Sequence, residues 1–195
     1  MKPITRVVSL VLGYMAMFTS SVEAQEHVHG VGSAFVIQQG QTWQLQFILP
    51  ASDALGFEHI PEDQQQRDRL AKLSQSFKRV ENLMHFHSNS ASKGCEQIAY
   101  RHNLHQFDNG QLQQREHHQH EPEEHHEAEH KEPHQELHPN VELSYTVECS
   151  KDPRLLSFPI FQQMHSLQKL EVQWSIDSGQ GAVMLSPNMT QLELQ

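Results

Sequence analysis

The histidines of this chain fall into groups whose spacing suits the capture of a metal ion. Half of the 16 lie in one run, Arg115 to Pro139 (REHHQHEPEEHHEAEHKEPHQELHP), as His117, His118, His120, His125, His126, His130, His134 and His138. Neutral imidazole is the commonest side-chain metal ligand, and a tract this rich in it reads as metal-binding by composition. Pro122 can open a helical turn and Pro133 would stop it. Between them His126 and His130 stand at i, i+4, on one helical face. Two imidazoles so placed can chelate one zinc ion, with Glu123 or Glu127 completing a tetrahedron of nitrogen and oxygen ligands. The ligand sets overlap, so the tract predicts several exchanging sites, each with an ordering cost on binding. The plain alternative is a solvated insertion with no metal role.

A second group lies outside the tract. His27-Val28-His29-Gly30 puts two histidines at i and i+2, on the same side of a strand. Gly56-Phe57-Glu58-His59 ends a loop that can return to that strand's start. His27, His29 and His59 would then form a zinc site, with Glu58 as a fourth ligand or as the carboxylate that orients an imidazole. The competing reading is a frayed terminus and a capping histidine ahead of Pro61. His85-Phe86-His87 is placed at the end of a predicted helix, where a cationic histidine simply favours the helix dipole. His102 and His105 are expected on opposite faces of a strand, and His165 stands alone. The scattered methionines look like core filler, since no Met-x-Met cluster suggests copper.

One enzyme motif is present and cheap. His126-Glu127-Ala128-Glu129-His130 matches the zinc-protease pattern H-E-x-x-H and also the inverted H-x-x-E-H. Such a protease needs the pair on a buried helix beside an apolar cleft, and nothing flanking these residues is apolar. The expectation is a protein that is not an enzyme.

The chain's start carries the marks of export. Lys2 and Arg6 precede an apolar stretch from Val7 to Phe18, too short to span a membrane, and Val22-Glu23-Ala24 offers a cleavage point. Residues 1–24 therefore read as a signal peptide and 25–195 as a single domain, with a His/Glu-rich loop at 115–139. Cys95 and Cys149 are the only two cysteines. In an exported chain they predict one disulfide, which would tether both ends of the tract to the folded body. A cysteine-ligated zinc is disfavoured by the lack of Cys-x-x-Cys. The net charge of −10 argues against nucleic acid as a partner and suits attraction of cations.

The elements that must position these residues follow from hydrophobic period. Residues 27–36 and then Trp43, Leu45, Phe47 and Leu49 predict a hairpin with one buried face. Pro61 opens a helix expected to run to Met84, with Leu70, Leu73, Phe77, Val80 and Leu83 on one stripe. Strands are predicted from Cys95 to Gln106, with Ile98, Tyr100 and His102 on one face, and at Val141–Cys149, Leu170–Ile176 and Ala182–Leu185. A helical segment is expected over 152–164, and an edge strand at 191–194. The class is α+β: a largely antiparallel sheet, one long helix and a disordered His/Glu-rich insertion.

Taken in order, these motifs resemble the ZrgA zinc-uptake proteins of bacterial periplasms. The resemblance rests on His27-Val28-His29-Gly30, a hairpin ending Leu49-Pro50-Ala51, and Leu55-Gly56-Phe57-Glu58-His59. It continues through a helix, Gly94-Cys95, the His/acid insertion, 141–149 and 167–194. It implies a periplasmic Zn²⁺ binder working beside an ABC-type importer, with His27, His29, Glu58 and His59 at the metal. The tract departs from many relatives in being richer in Glu and Gln than in Asp. A metal buffer for zinc, nickel or copper with no transporter partner is the alternative that the same residues allow.

Overall fold

The computed structural model describes residues 29–88, 94–108 and 139–194. The predicted hairpin forms from β1 (Val31–Gln39) and β2 (Thr42–Pro50). Gly40 turns it with a φ of +60°, a conformation that costs glycine nothing. Trp43, Leu45, Phe47 and Leu49 all point into the core, as period two requires. Around the hairpin assemble β4 (Cys95–His102), β5 (Asn140–Cys149), β7 (Lys169–Ile176) and β8 (Gly179–Leu185), in the order β4-β5-β2-β1-β7-β8. The pairing of β1 with β7 is parallel and the other pairings are antiparallel. A second sheet, β3-β6-β9, is built from His85–His87, Leu155–Ser157 and Gln191–Glu193. It meets the buried face at the hairpin's turn, where Phe86 packs edge-on against Trp43 with ring centroids 5.7 Å apart. The helices are α1 (Ala51–Ala54), α2 (Gln64–Phe77), α3 (His105–Asp108) and α4 (Ile160–Gln163). The α+β class and the one long helix are as expected.

Three predicted elements are corrected. The long helix ends at Phe77, not Met84. Its last carbonyls are taken by side chains: Asn82 Nδ2, just beyond the helix, donates to Ser76 O at 2.6 Å, and from more distant segments the Tyr145 hydroxyl donates to Phe77 O and Gln97 Nε2 to Lys78 O at 2.8 Å. With those acceptors used, the chain passes into a 3-10 turn at Val80–Asn82 and then strand β3. The helix predicted over 152–164 shrinks to α4, because Leu155–Ser157 pairs with β3 and β9 instead. β4 carries an irregularity between Gln97 and Ala99. That bulge breaks the alternation, so Ile98 is exposed while Tyr100 packs toward the core.

The Cys95–Cys149 disulfide is present, joining residues directly opposed in the β4–β5 ladder and 54 apart in sequence. Residues 1–28 and 109–138 lie outside the described part, and with them the expected signal peptide, His27 and the tract histidines from His117 to His138.

Candidate metal site

At the end of the sheet where β1 begins and β2 ends, the chain turns straight from Pro50 into α1. Asp53 in that turn is 4% exposed, and its carboxylate accepts the Gly30 N–H at 2.6 Å. Gly30 has a φ of +79°, and its carbonyl accepts the N–H groups of Gln168 and Lys169, both at 2.8 Å. The residue before β1 is thereby bound on two sides. A buried carboxylate accepting an amide proton is among the stronger hydrogen bonds, so the backbone that carries His29 is fixed rather than frayed.

His29 projects from this anchor onto α1 and the following loop. Its Nδ1 lies 2.7 Å from Ser52 Oγ and 3.5 Å from Glu58 Oε1. A carboxylate beside Nδ1 favours the proton on that nitrogen, so the ligating atom would be Nε2. Of the two roles expected for Glu58, this geometry is the one that an orienting carboxylate would have. The Glu58 side chain is only 23% exposed and the imidazole 59%, so the ring reaches solvent from a carboxylate set deeper in the fold.

His59 is held differently. Its Nδ1 donates to its neighbour's carbonyl, Ile60 O, at 2.9 Å, and lies 3.9 Å from Glu62 Oε1. A carbonyl can only accept, so Nδ1 carries the proton and Nε2 the lone pair. Phe57, buried between, stands 5.7 Å from the His59 ring and meets Phe107 edge-on at 6.5 Å. Gly56 enters this loop with a φ of +83°, and its bare α-carbon faces the Arg69 guanidinium.

The structure brings His29 and Glu58 together and sets His59 on the same loop as Glu58. Among the described residues no group of three or more His, Cys, Asp or Glu side chains is gathered closely enough to hold a metal. The remaining predicted member, His27, lies outside them. The pieces present fit a zinc ligand set in chemistry: imidazoles with Nδ1 hydrogen-bonded, which leaves Nε2 for a metal, one of them beside a carboxylate.

Sequence reasoning missed Asp53 and Ser52. Nothing in the string Ala51-Ser52-Asp53 marks one as a buried anchor and the other as a partner for His29, because both roles depend on where β1 begins. A lesser surprise is His102, whose Nδ1 accepts the Leu104 N–H at 3.1 Å. Burial, aided by the nearby His105 and Lys78, lowers its pKa from the usual imidazole value.

The full run of motifs, from the turn holding His29 to the last strand, matches a family profile, that of the ZrgA family zinc uptake proteins, over residues 26–194. The chain belongs to the ZrgA family. The match begins just ahead of His29 and ends after β9, so it takes in both the anchored turn and the Gly56–His59 loop of this ZrgA-family chain. A search of curated proteins finds no match. No helix among the described residues is long and apolar enough to cross a membrane.

Proposed function

We propose that this protein is exported to the periplasm, binds Zn²⁺ there and delivers it for uptake, with an ABC-type importer as the receiving partner. Zinc is cargo in this reading, and the protein's chemistry is ligand exchange, with no bond made or broken in a substrate. The observation that carries it is the place where the His/Glu tract leaves the fold. The Pro139 carbonyl, at the tract's far end, accepts the Ala51 N–H of α1 at 3.0 Å. Phe107, eight residues ahead of Arg115, packs on Phe57. The described residues on both sides of the tract therefore stand against the two segments that present His29, Glu58 and His59. A ligand-rich segment rooted at an ordered site raises the local concentration of metal-loaded imidazole there. Zinc gathered along the tract would pass to His27, His29 and His59 by exchange. Family membership supports the uptake role, and the disulfide suits an oxidising compartment.

Protonated imidazole cannot ligate, so binding should weaken as the pH falls through about 6.5. Zinc titration of the chain from Gln25 onward, near neutrality and at a pH of about 5, tests this. Equal affinity at both would contradict it. Growth of a deletion strain under zinc limitation separates uptake from buffering: a transport role requires a growth defect that added zinc repairs.

A further inference from the structure

The shortening of α2 changes the meaning of His85-Phe86-His87. On a helix, residues i and i+2 point to different sides. On β3 they share one face, while Phe86 between them turns inward onto Trp43. The two imidazoles stand with ring centroids 6.1 Å apart, both side chains exposed. Two imidazoles on one tetrahedral zinc, with Zn–N distances of ~2.0–2.1 Å, have centroids roughly 5 Å apart. The pair is thus about an ångström from chelating geometry, a gap that small rotations of two surface rings can close. His87 is also oriented: its Nε2 bonds Ser157 Oγ at 2.7 Å. That contact leaves Nδ1 as its ligating nitrogen and supplies the outer partner that metal-bound histidines commonly have.

The surroundings leave the pair open to solvent, with charges of both signs in balance. The pair lines a cleft of about 1000 Å³ whose wall also holds Glu81 and Glu96. Lys78 and Arg79 stand there as well, and Arg79 Nε is 3.6 Å from Glu81. Across the small sheet, Glu193 pairs with Leu155, which pairs with His87. This places a carboxylate on the same sheet face, roughly 10 Å from His87 by strand spacing. The site lies at the hairpin's turn, on the order of 30 Å from His29 along β1, so the two cannot share an ion.

We propose that His85 and His87 form a second site for a borderline divalent ion such as Zn²⁺, bidentate and open, separate from the His29–Glu58 locus. With two protein ligands it binds more weakly than a three-ligand site and exchanges faster. The test is residue-resolved NMR of the imidazole signals of the whole mature chain during titration with zinc chloride. The His85 and His87 signals should move together with one midpoint below about 1 mM. His29→Ala should leave that midpoint unchanged, whatever becomes of the first site. His87→Asn, on the surface, should raise the midpoint of His85 by at least about tenfold, because chelation is lost. The proposal fails if neither signal moves, if His87→Asn leaves the His85 midpoint in place, or if His29→Ala abolishes both shifts.

Discussion

At the scale of single residues, the placing of His29 depends on Asp53. Removing its carboxylate leaves the Gly30 N–H unsatisfied in a buried position. Asp53→Ala should cost about 2 kcal/mol in urea unfolding and, by releasing His29, weaken zinc binding roughly tenfold. A stability loss with unchanged zinc affinity would make Asp53 structural only. His102 gives a pH signature of its own. Its folded-state pKa is depressed, chiefly by burial. It is neutral when folded, so its contribution is complete above the ordinary imidazole pKa. That contribution is lost as the pH falls through the folded value. An NMR titration should find its midpoint below the ordinary imidazole value of about 6.5. The tyrosines report the other end of the scale. Tyr145 and Tyr100 stack with centroids 5.1 Å apart, and burial pushes Tyr100 up to about 12 and Tyr145 higher still. In the chain from Gln25 onward these are the only tyrosines. Ultraviolet titration should therefore show almost no tyrosinate near a pH of about 10, where a free phenol is half ionised. Stability should fall as the pH rises above about 10, because the unfolded phenols ionise first.

At the scale of elements, the strands were the legible part. The period-two pattern of Trp43 to Leu49, Val141 to Cys149 and Leu170 to Ile176 is written locally, and each became a strand with those residues facing in. The end of α2 was not legible. Its stripe of Leu70, Leu73 and Phe77 continues through Val80 and Leu83, which are also buried, so local pattern favours a longer helix. The stop comes with Asn82 and with Tyr145 and Gln97, the last two meeting the helix end only once the fold is assembled. Tyr145→Phe would leave the Phe77 carbonyl without its donor and should cost about 1–2 kcal/mol, read from the shift in urea midpoint. The same blindness hid the His85–His87 face, since the residue pair reads differently on a helix and on a strand. Half of the candidate site was readable: Glu58 beside His29 follows from the spacing of hairpin and loop. Asp53 and Ser52 were not, because their roles depend on where β1 begins, which nothing in Ala51-Ser52-Asp53 marks. Gly56 is a further element-scale test. Any side chain there meets a φ of +83° and a Cβ 3.0 Å from the Arg69 guanidinium carbon. Gly56→Ala should lose about 1–2 kcal/mol and disturb Glu58 and His59 with it.

At the scale of the whole molecule, the sheet separates two ends with different histidine groups. One end carries the roots of the His/Glu tract together with His29, Glu58 and His59. The other carries the disulfide and the His85–His87 pair. Cys95–Cys149 closes a loop that contains the entire tract, and by the chain-entropy account a loop of that length is worth ~4 kcal/mol. Reduction should lower the thermal midpoint markedly while leaving the imidazoles chemically intact, so zinc added back should recover part of the lost stability by binding the folded form. The net charge of −10 favours approach of cations to either end. The central claim is that an ordered site at the tract's root holds zinc in its own right. Its most direct test is a chelator-competition titration of three proteins at neutral pH: the chain from Gln25, a version lacking Glu116 to His138, and that version with His29→Ala. The account predicts that deleting the tract lowers the number of ions bound but leaves one zinc held at roughly micromolar affinity or better, and that His29→Ala then removes it. A tract-deleted protein with no such ion, or one that keeps it after His29→Ala, would contradict the account.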